Sequence, residues 1–449
     1  INFPSINNVM SNNMEKGRSK RLEAEAGECL LIGGPAQLKI LEGRVEALGV
    51  KLSRGERVVV RVFRAIPIRV VEKSLLEVEH GVNGFVERID EPYPAEWIKV
   101  IDEISKAKGT VLVIGAVDVG KSTLCTLIAN SLLSNGLKVG IIEGDVGQAE
   151  VGPPTTVSLA IPKTPSPDLF RQNPIVSEFI GSTSPMGFEE EIIEAIRKLK
   201  SEAESLSVDL IVVNTDGWVD DEKAVEYKVK LAEALKPSLI VVLCRDEELE
   251  ELRKQLQEKF NVLKAPQLAK ARRRSREARK ELRELSYQKN LRGATTRSIP
   301  ISWVKILNHD LGTGVILSDE RFKKLNEQLN GGLVYGEETP NGLLLVLNER
   351  FVSKDSIKRI FENHSRSVNV IWLGSERGLI AGLYNREGRF IGIGVIEEID
   401  YRRRILKIHT PCQQTISMIK LGCVKLVESW KEVEKFPSCP LKPMKLNAF

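Results

Sequence analysis

The sequence predicts an α/β protein: a central domain with a mainly parallel sheet and crossover helices, flanked by an N-terminal β-sandwich and a C-terminal β-rich domain. Three observations predict it. Four apolar residues, Val111-Leu112-Val113-Ile114, run into a glycine-bounded loop, Gly115 to Gly120, and then into the apolar helical run Leu124, Leu127, Ile128 and Leu132. Around that stretch, strand-like and helix-like segments alternate as they do in parallel sheets joined by crossovers. On either side, short strand-like runs are separated by Gly and Pro turn signals, with weak helical periodicity.

At 449 residues the chain exceeds the size at which a single core keeps growing. Apolar residues at 42% and charged residues at 28% are those of a globular protein. No apolar run approaches the roughly 18 residues that a membrane span requires, so no membrane partner is expected. Residues 1–20 are polar and expected to be disordered, with no secretory signal, which points to an intracellular protein. The six cysteines form no CxxC pair and the four histidines (His80, His309, His364, His409) show no ligand spacing, so no zinc site is expected. The net charge of +5 is unevenly placed. Lys264 to Arg292 holds eleven Lys or Arg and three Glu, a local +8 that leaves the rest of the chain at −3.

In chain order, residues 21–95 read as the β-sandwich, with strands at Cys29–Ile32, Gln37–Leu41 and Arg57–Phe63. Asp90-Glu91-Pro92-Tyr93-Pro94 marks a boundary, after which Trp97–Ile101 leads as a helix into a domain over 96–293. Its further strands are Lys138–Glu143, Leu210–Val213 and Leu239–Leu243, with helices at about 188–206 and 222–236. Loops at the carboxyl ends of such strands line the ligand crevice, which makes Asp145, Thr215, Asp216, Gly217 and Trp218 candidates by position. Residues 294–449 read as the β-rich domain, with strands near 314–317, 342–347, 369–373 and 390–396.

The stretch from Gly115 to Thr123 is a P-loop. Glycines let backbone N–H groups close around a polyphosphate, Lys121 adds a point charge on the β/γ-phosphates, and the Ser122 hydroxyl is placed for Mg²⁺. The helix beginning there aims its positive end at the same phosphates. Asp145 closes the second strand, where a carboxylate serves as metal partner or general base, or is an ordinary turn residue. Between 264 and 292, read as one helix, Leu268, Ala271, Ser275, Ala278, Leu282 and Leu285 form a narrow apolar stripe beside a cationic one of Arg272, Arg276, Arg279 and Arg283. Such a segment is either a solvated face or a mobile arginine lid over a triphosphate. Trp218 at a strand end is either a packing residue or a platform for a nucleobase.

These motifs resemble the polynucleotide 5′-hydroxyl kinases, the family that includes the RNA kinase of mRNA 3′-end processing and tRNA splicing and its ribosomal-RNA-processing relatives, with an archaeal member as the nearest likeness. The resemblance rests on Gly115 to Thr123 as G-x-x-D-V-G-K-S-T, on Asp145-Val146-Gly147-Gln148, on Thr183-Ser184-Pro185, on Asn214-Thr215-x-Gly217-Trp218, and on Arg274-Ser275-x-x-x-Arg279. It implies an ATP- and Mg²⁺-dependent kinase acting on the 5′-hydroxyl end of RNA, with DNA left open. By the resemblance Gly115, Asp118, Val119, Gly120, Lys121, Ser122 and Thr123 cradle the nucleotide, with Glu28 the first domain's candidate for the adenosine. Ser122 and Asp145 hold the metal, and Asp145 orients or deprotonates the attacking hydroxyl. Thr183, Ser184 and Pro185 form a clasp over the transferring phosphate, Arg274 and Arg279 are lid arginines, and Gln148 and Trp218 hold the terminal base. Glu150 and Pro153-Pro154 depart from many relatives. The competing class is a non-catalytic ATP-binding scaffold, against which the set Lys121, Ser122, Asp145, Arg274 and Arg279 argues. A GTPase switch lacks its Asn-Lys-x-Asp motif, and a small-molecule kinase is the remaining option.

Overall fold

The computed structural model describes residues 18–245, 248–270, 273–363 and 367–441. Ala271, Arg272, His364 and most of the stretch expected to be disordered lie outside the described residues. The remainder of that stretch, from Arg18, is already in strand β1 (Arg18–Ala24). The other N-terminal strands are β2 (Cys29–Gly33), β3 (Ala36–Ala47), β4 (Val50–Ser53), β5 (Arg57–Val60), β6 (Ala65–His80) and β7 (Phe85–Ile89). The two long strands β3 and β6 pair antiparallel with register shifts between Ile40 and Val45. These shifts divide the sheet into halves, one extended by β4, β2 and β7 and the other by β1 and β5. Leu38, Ile40, Val45, Ile68, Leu76 and Val78 fill the core between them. Sequence reading passes over β6 because its alternation breaks at Val71-Glu72-Lys73, which are exposed. The strand expected through Phe63 stops at Val60, and Phe63 itself takes a left-handed φ of 57°.

The next sheet follows helix α1 (Glu96–Lys106) and is built from β8 (Gly109–Gly115), α2 (Lys121–Ser134), β9 (Val139–Glu143), β10 (Thr156–Ala160), β11 (Val176–Phe179), α3 (Glu189–Ser205), β12 (Leu210–Asn214), α4 (Glu222–Leu235), β13 (Leu239–Leu243), α5 (Glu250–Gln257) and β14 (Val262–Ala265). Its order is β11-β10-β9-β12-β8-β13-β14, with β9, β12, β8, β13 and β14 parallel and β10 antiparallel. The central strands are buried on both faces, which is why they read as continuous apolar runs. Helix α2 buries Leu124, Cys125, Leu127, Ile128 and Leu132, so it packs on nearly every side.

Helix α6 runs from Arg276 to Asn290. It begins later than the stripe from Leu268 implied, because Ser275 caps it by accepting from Ala278 N at 3.1 Å. Leu268 lies in the irregular stretch before the helix, and Arg283 is buried rather than part of a solvated cationic stripe.

The chain divides into two compact units. The first runs to Gly152 and adds Val157–Ser177 and Glu189–Arg283. The second takes Pro153–Thr156, Glu178–Phe188 and the chain from Glu284 onward. It holds one sheet ordered β15-β23-β22-β21-β24-β16, with β25 on β24, and a four-stranded sheet ordered β17-β18-β19-β20. These are β15 (Thr295–Pro300), β16 (Lys305–Ile306), β17 (Val315–Ile316), β18 (Leu333–Thr339), β19 (Gly342–Leu347), β20 (Ser367–Trp372), β21 (Leu379–Tyr384), β22 (Phe390–Asp400), β23 (Ile405–Thr410), β24 (Met418–Val427) and β25 (Lys431–Lys435), with helices α7 (Asp319–Gln328) and α8 (Lys354–Asn363). Within this unit Phe179 packs with Tyr287, Leu291, Tyr384 and Ile393.

Candidate active site

Strand β8 ends at Gly115 and helix α2 begins at Lys121, so the intervening loop sits at the carboxyl edge of the sheet between β12 and β13. Gly120 turns the chain into the helix with φ 108°, and a Cβ there would lie 2.9 Å from Leu268 Cγ, so only glycine serves. Lys121 is buried, and its Nζ donates to the carbonyls of Gly115 at 2.8 Å and Ala116 at 2.7 Å. Burial lowers its pKa, while the Asp145 carboxylate opposes that shift. The Ser122 hydroxyl accepts from Asn214 Nδ2 at 3.3 Å, and the same amide donates to Glu143 Oε1 at 2.9 Å.

Asp145 forms an Asx turn in which its Oδ1 accepts from Gly147 N at 2.9 Å and Gln148 N at 2.8 Å. Burial and then the nearby Asp216 carboxylate raise its pKa above the ordinary value, and Lys121 pulls in the other direction. Glu143, two residues earlier, is fully enclosed, accepting from Asp145 N, Glu150 N and Asn214. Its pKa is pushed up to about 8, by burial first and the Asp145 charge second. Gln148 donates to Gly147 O at 2.6 Å and to Arg279 O at 3.3 Å, which ties the Asp145 turn to the start of α6.

The two arginines singled out in the sequence meet the P-loop through Asp118. Arg274 donates to its carboxylate from the backbone N at 2.9 Å, from Nε at 2.6 Å and from Nη2 at 2.5 Å. Arg279 adds Nη1 at 3.5 Å. Asp118, at φ 62°, thus spends its carboxylate on Arg274 and Arg279. Arg274 Nη1 and Gln148 Oε1 are buried and find no hydrogen-bond partner among the described residues.

Trp218 is half-buried beside the P-loop, and Gly217 is the reason the two loops approach so closely. A Cβ at Gly217 would lie 2.5 Å from Val117 Cγ2 and 2.8 Å from Val117 N. Gly217→Ala is therefore expected to push the loops apart, destabilising the protein by about 1–3 kcal/mol in urea unfolding and lowering turnover. A variant with the parent's unfolding midpoint and turnover would contradict that packing.

A cleft of about 800 Å³ connects these groups to the N-terminal sheet. Gly120, Lys121, Ser122, Thr123, Asp145, Gln148 and Arg274 line one wall, and Leu31, Phe63, Arg64, Pro67 and Phe85 the other. The size and mixed lining suit a nucleotide. Glu28 does not line it. Its side chain is turned to the Arg88 guanidinium at 3.3 Å and to Glu25 N at 3.0 Å, so the first domain's contribution to this cleft comes from β2, the β5–β6 turn, the start of β6 and β7. Thr183 and Ser184 belong to the second unit. There the loop closes on itself, Ser182 Oγ donating to Ser184 O at 2.9 Å and accepting from Ser184 N at 3.0 Å, and Gly181 O accepts from Cys423 N at 2.7 Å.

Sequence reading missed several members of the site. Arg61 pairs with Glu150 and Asp168 at 2.8 Å each, and Arg64 pairs with Glu150, so a salt-bridge cluster from the N-terminal sheet grips the loop that follows Asp145. Glu150, noted only as a departure from the resemblance, is the centre of that cluster. The available signal for Glu143 was a carboxylate inside a buried strand, which seldom occurs without partners.

Residues 115–293 match the family described as the mRNA cleavage and polyadenylation factor Clp1 P-loop. The chain is 31% identical over 333 residues to a polyribonucleotide 5′-hydroxyl-kinase of Methanocaldococcus jannaschii, covering 72% of this chain and 88% of that protein. It is 30% identical over 350 residues to a polyribonucleotide 5′-hydroxyl-kinase of Thermococcus kodakarensis, covering 77% and 97%. Among solved structures, the complex of wild-type Clp1p with Pcf11p matches with a TM-score of 0.61 over 91% of this chain and 98% of that one, at 15% identity, a likeness of fold. With a P-loop, an Asp-x-Gly-Gln turn and Arg274 assembled on one cleft, the chain belongs to the polyribonucleotide 5′-hydroxyl-kinase family that shares the Clp1 P-loop domain.

Proposed function

We propose that this protein transfers the γ-phosphate of ATP to the 5′-hydroxyl end of RNA. The observation that carries the reading is the convergence on one cleft of Lys121, Ser122, Asp145, Gln148 and Arg274, a set that a nucleotide-storing scaffold would not need. In this reading Gly115 to Thr123 cradle the triphosphate, and Lys121 neutralises charge on its β- and γ-phosphates. Ser122 Oγ and the Asp145 carboxylate are hard oxygen donors of the kind that suits Mg²⁺ or another divalent cation, which is held by few protein groups plus substrate phosphates. When bound, that ion supplies charge neutralisation at the phosphate oxygens.

Asp145 is the base or orienting group. Its Oδ1 is taken by two backbone N–H groups, which leaves Oδ2 for the substrate hydroxyl, and its raised pKa suits a proton acceptor. The 5′ oxygen bonds to the γ-phosphorus, the bond to the β,γ-bridging oxygen breaks, ADP leaves, and the hydroxyl proton passes to Asp145. Arg274 and Arg279 place positive charge where the transferring group develops negative charge, and the unpartnered Arg274 Nη1 has a hydrogen to give it. Gln148 and Trp218 receive the terminal base.

The test is incubation with γ-labelled ATP and four acceptors: 5′-hydroxyl RNA, 5′-phosphate RNA, 5′-hydroxyl DNA and free nucleosides. Label should appear on 5′-hydroxyl RNA and be absent from 5′-phosphate RNA. ATP binding without transfer to any acceptor would establish the scaffold, and transfer to nucleosides alone would establish a small-molecule kinase.

A further inference from the structure

Trp218 is more elaborately supported than a residue that only fills space. Its ring stacks on Tyr227 with centroids 6.0 Å apart and planes 27° from parallel, so one face is covered. Its indole N–H donates to Asp221 Oδ2 at 3.0 Å, and Asp221 is itself held by capping α4 through Ala224 N at 2.8 Å. Its backbone N donates to Asp216 Oδ1 at 2.9 Å. The other oxygen, Asp216 Oδ2, accepts from Tyr227 OH at 3.1 Å and Lys228 Nζ at 2.7 Å. Tyr227 is 2% exposed, Lys228 0% and Asp216 3%, while Trp218 keeps an accessible face.

A buried ion pair adds little net stability compared with an apolar pair of the same volume, so burying Lys228 and Asp216 here calls for a reason beyond holding the fold. The geometry supplies one. Asp216 ties together the backbone of Trp218 and the ring beneath Trp218, so a single carboxylate registers both layers of the stack. Stacking also favours a ring already ordered, since the entropy of orienting the side chain is then lost on folding rather than on binding.

We infer that Tyr227, Asp221 and the buried Asp216–Lys228 pair are positioning residues that make Trp218 a rigid platform with one usable face for the 5′-terminal base, oriented before nucleic acid arrives. The inference rests on the reading of Trp218 as the base platform. It predicts that the terminal base enters on the face opposite Tyr227, giving the order Tyr227, Trp218, base. Because a π-face accepts any base, such a platform suits an enzyme that must act on many 5′ ends.

The test uses the full-length protein, a non-hydrolysable ATP analogue and a 5′-hydroxyl RNA carrying 2-aminopurine as its first base, whose fluorescence is quenched by stacking. Steady-state KM and kcat are measured in parallel with ordinary RNA and ATP. Tyr227→Leu removes the supporting ring, and is expected to raise the RNA KM about three- to tenfold and weaken quenching, with kcat and the ATP KM within about twofold of the parent. Tyr227→Phe keeps the ring but loses the hydroxyl held by Asp216, and should recover most of the quenching with the RNA KM left about twofold above the parent. Asp221→Thr keeps a helix cap but shortens the acceptor of the indole N–H, and should move the RNA KM in the same direction by about twofold. Parental RNA KM and quenching in both Tyr227→Leu and Asp221→Thr would overturn the inference. So would a joint loss of RNA KM, ATP KM and melting temperature, since that pattern reports general damage. Trp218→Ala separates the two levels of the argument: it should abolish quenching, and if it quenches like the parent, the platform reading itself fails while the packing of Tyr227 stands.

Discussion

Lys121→Ala and Asp145→Asn should each lower phosphoryl transfer to 5′-hydroxyl RNA by about 10³-fold, near the upper end of what single catalytic groups contribute. The two losses have different causes. Lys121 is buried where its charge is poorly screened, and a truncated side chain leaves the triphosphate without its point-charge partner. Nucleotide binding should therefore weaken together with turnover. Asp145→Asn keeps the shape and the acceptor for Gly147 N and Gln148 N, so the turn should survive and nucleotide binding should change less. On the proposed reading it loses the acceptor for the hydroxyl proton and a hard donor for a divalent ion. Calorimetric titration with a non-hydrolysable ATP analogue, alongside single-turnover transfer at saturating Mg²⁺, separates the two. Near-normal single-turnover rates in Asp145→Asn would show that the carboxylate does neither job.

How much of this site was legible in the sequence depended on whether a residue's role is local. The P-loop was legible because strand, glycine loop and helix are contiguous, and the expected strands at 138–143, 210–213 and 239–243 lie within one residue of those observed. The central buried strands carry their polar residues near their ends, as Glu143 and Asn214 do, so their apolar runs were unambiguous. Strand β6 was not legible, because its solvent-facing stretch at Val71-Glu72-Lys73 breaks the alternation on which strand recognition depends. Helix α6 was placed too early for a related reason. Its apolar spacing extends backward to Leu268, but Ser275 offers a cap whose hydrogen bond is worth more than continued periodicity. Least legible were groups whose meaning lies in partners far along the chain. Arg61 meets Glu150 across 89 residues and Asp168 across 107, and Arg64 also meets Glu150, and no spacing rule reaches that far. Tyr227 and Lys228 read as ordinary helix residues until the fold brings them under Trp218.

Arg274→Ala should lower turnover by about 10²–10³-fold while raising the Michaelis constant for ATP only a few-fold, because a lid charge matters most where charge develops in the transition state. The structure adds a condition on how that charge is delivered. Arg274 makes three contacts with Asp118 and Arg279 a fourth, so the P-loop itself holds both guanidinium groups. Asp118 is 4% exposed at its side chain, and a carboxylate so enclosed pairs with the arginines through weakly screened charge. Asp118→Asn retains size and one acceptor oxygen but removes the charge, and should lower turnover by about tenfold as the arginines lose their common anchor. If Asp118 acts through Arg274, the losses will not add: Asp118→Asn combined with Arg274→Ala should be little worse than Arg274→Ala alone. Additive losses would mean that Asp118 acts on the nucleotide directly, as a P-loop residue in its own right. An Arg274→Ala variant with unchanged turnover and only a raised Michaelis constant would remove the catalytic role altogether, leaving the arginine as an electrostatic tether for bound nucleotide.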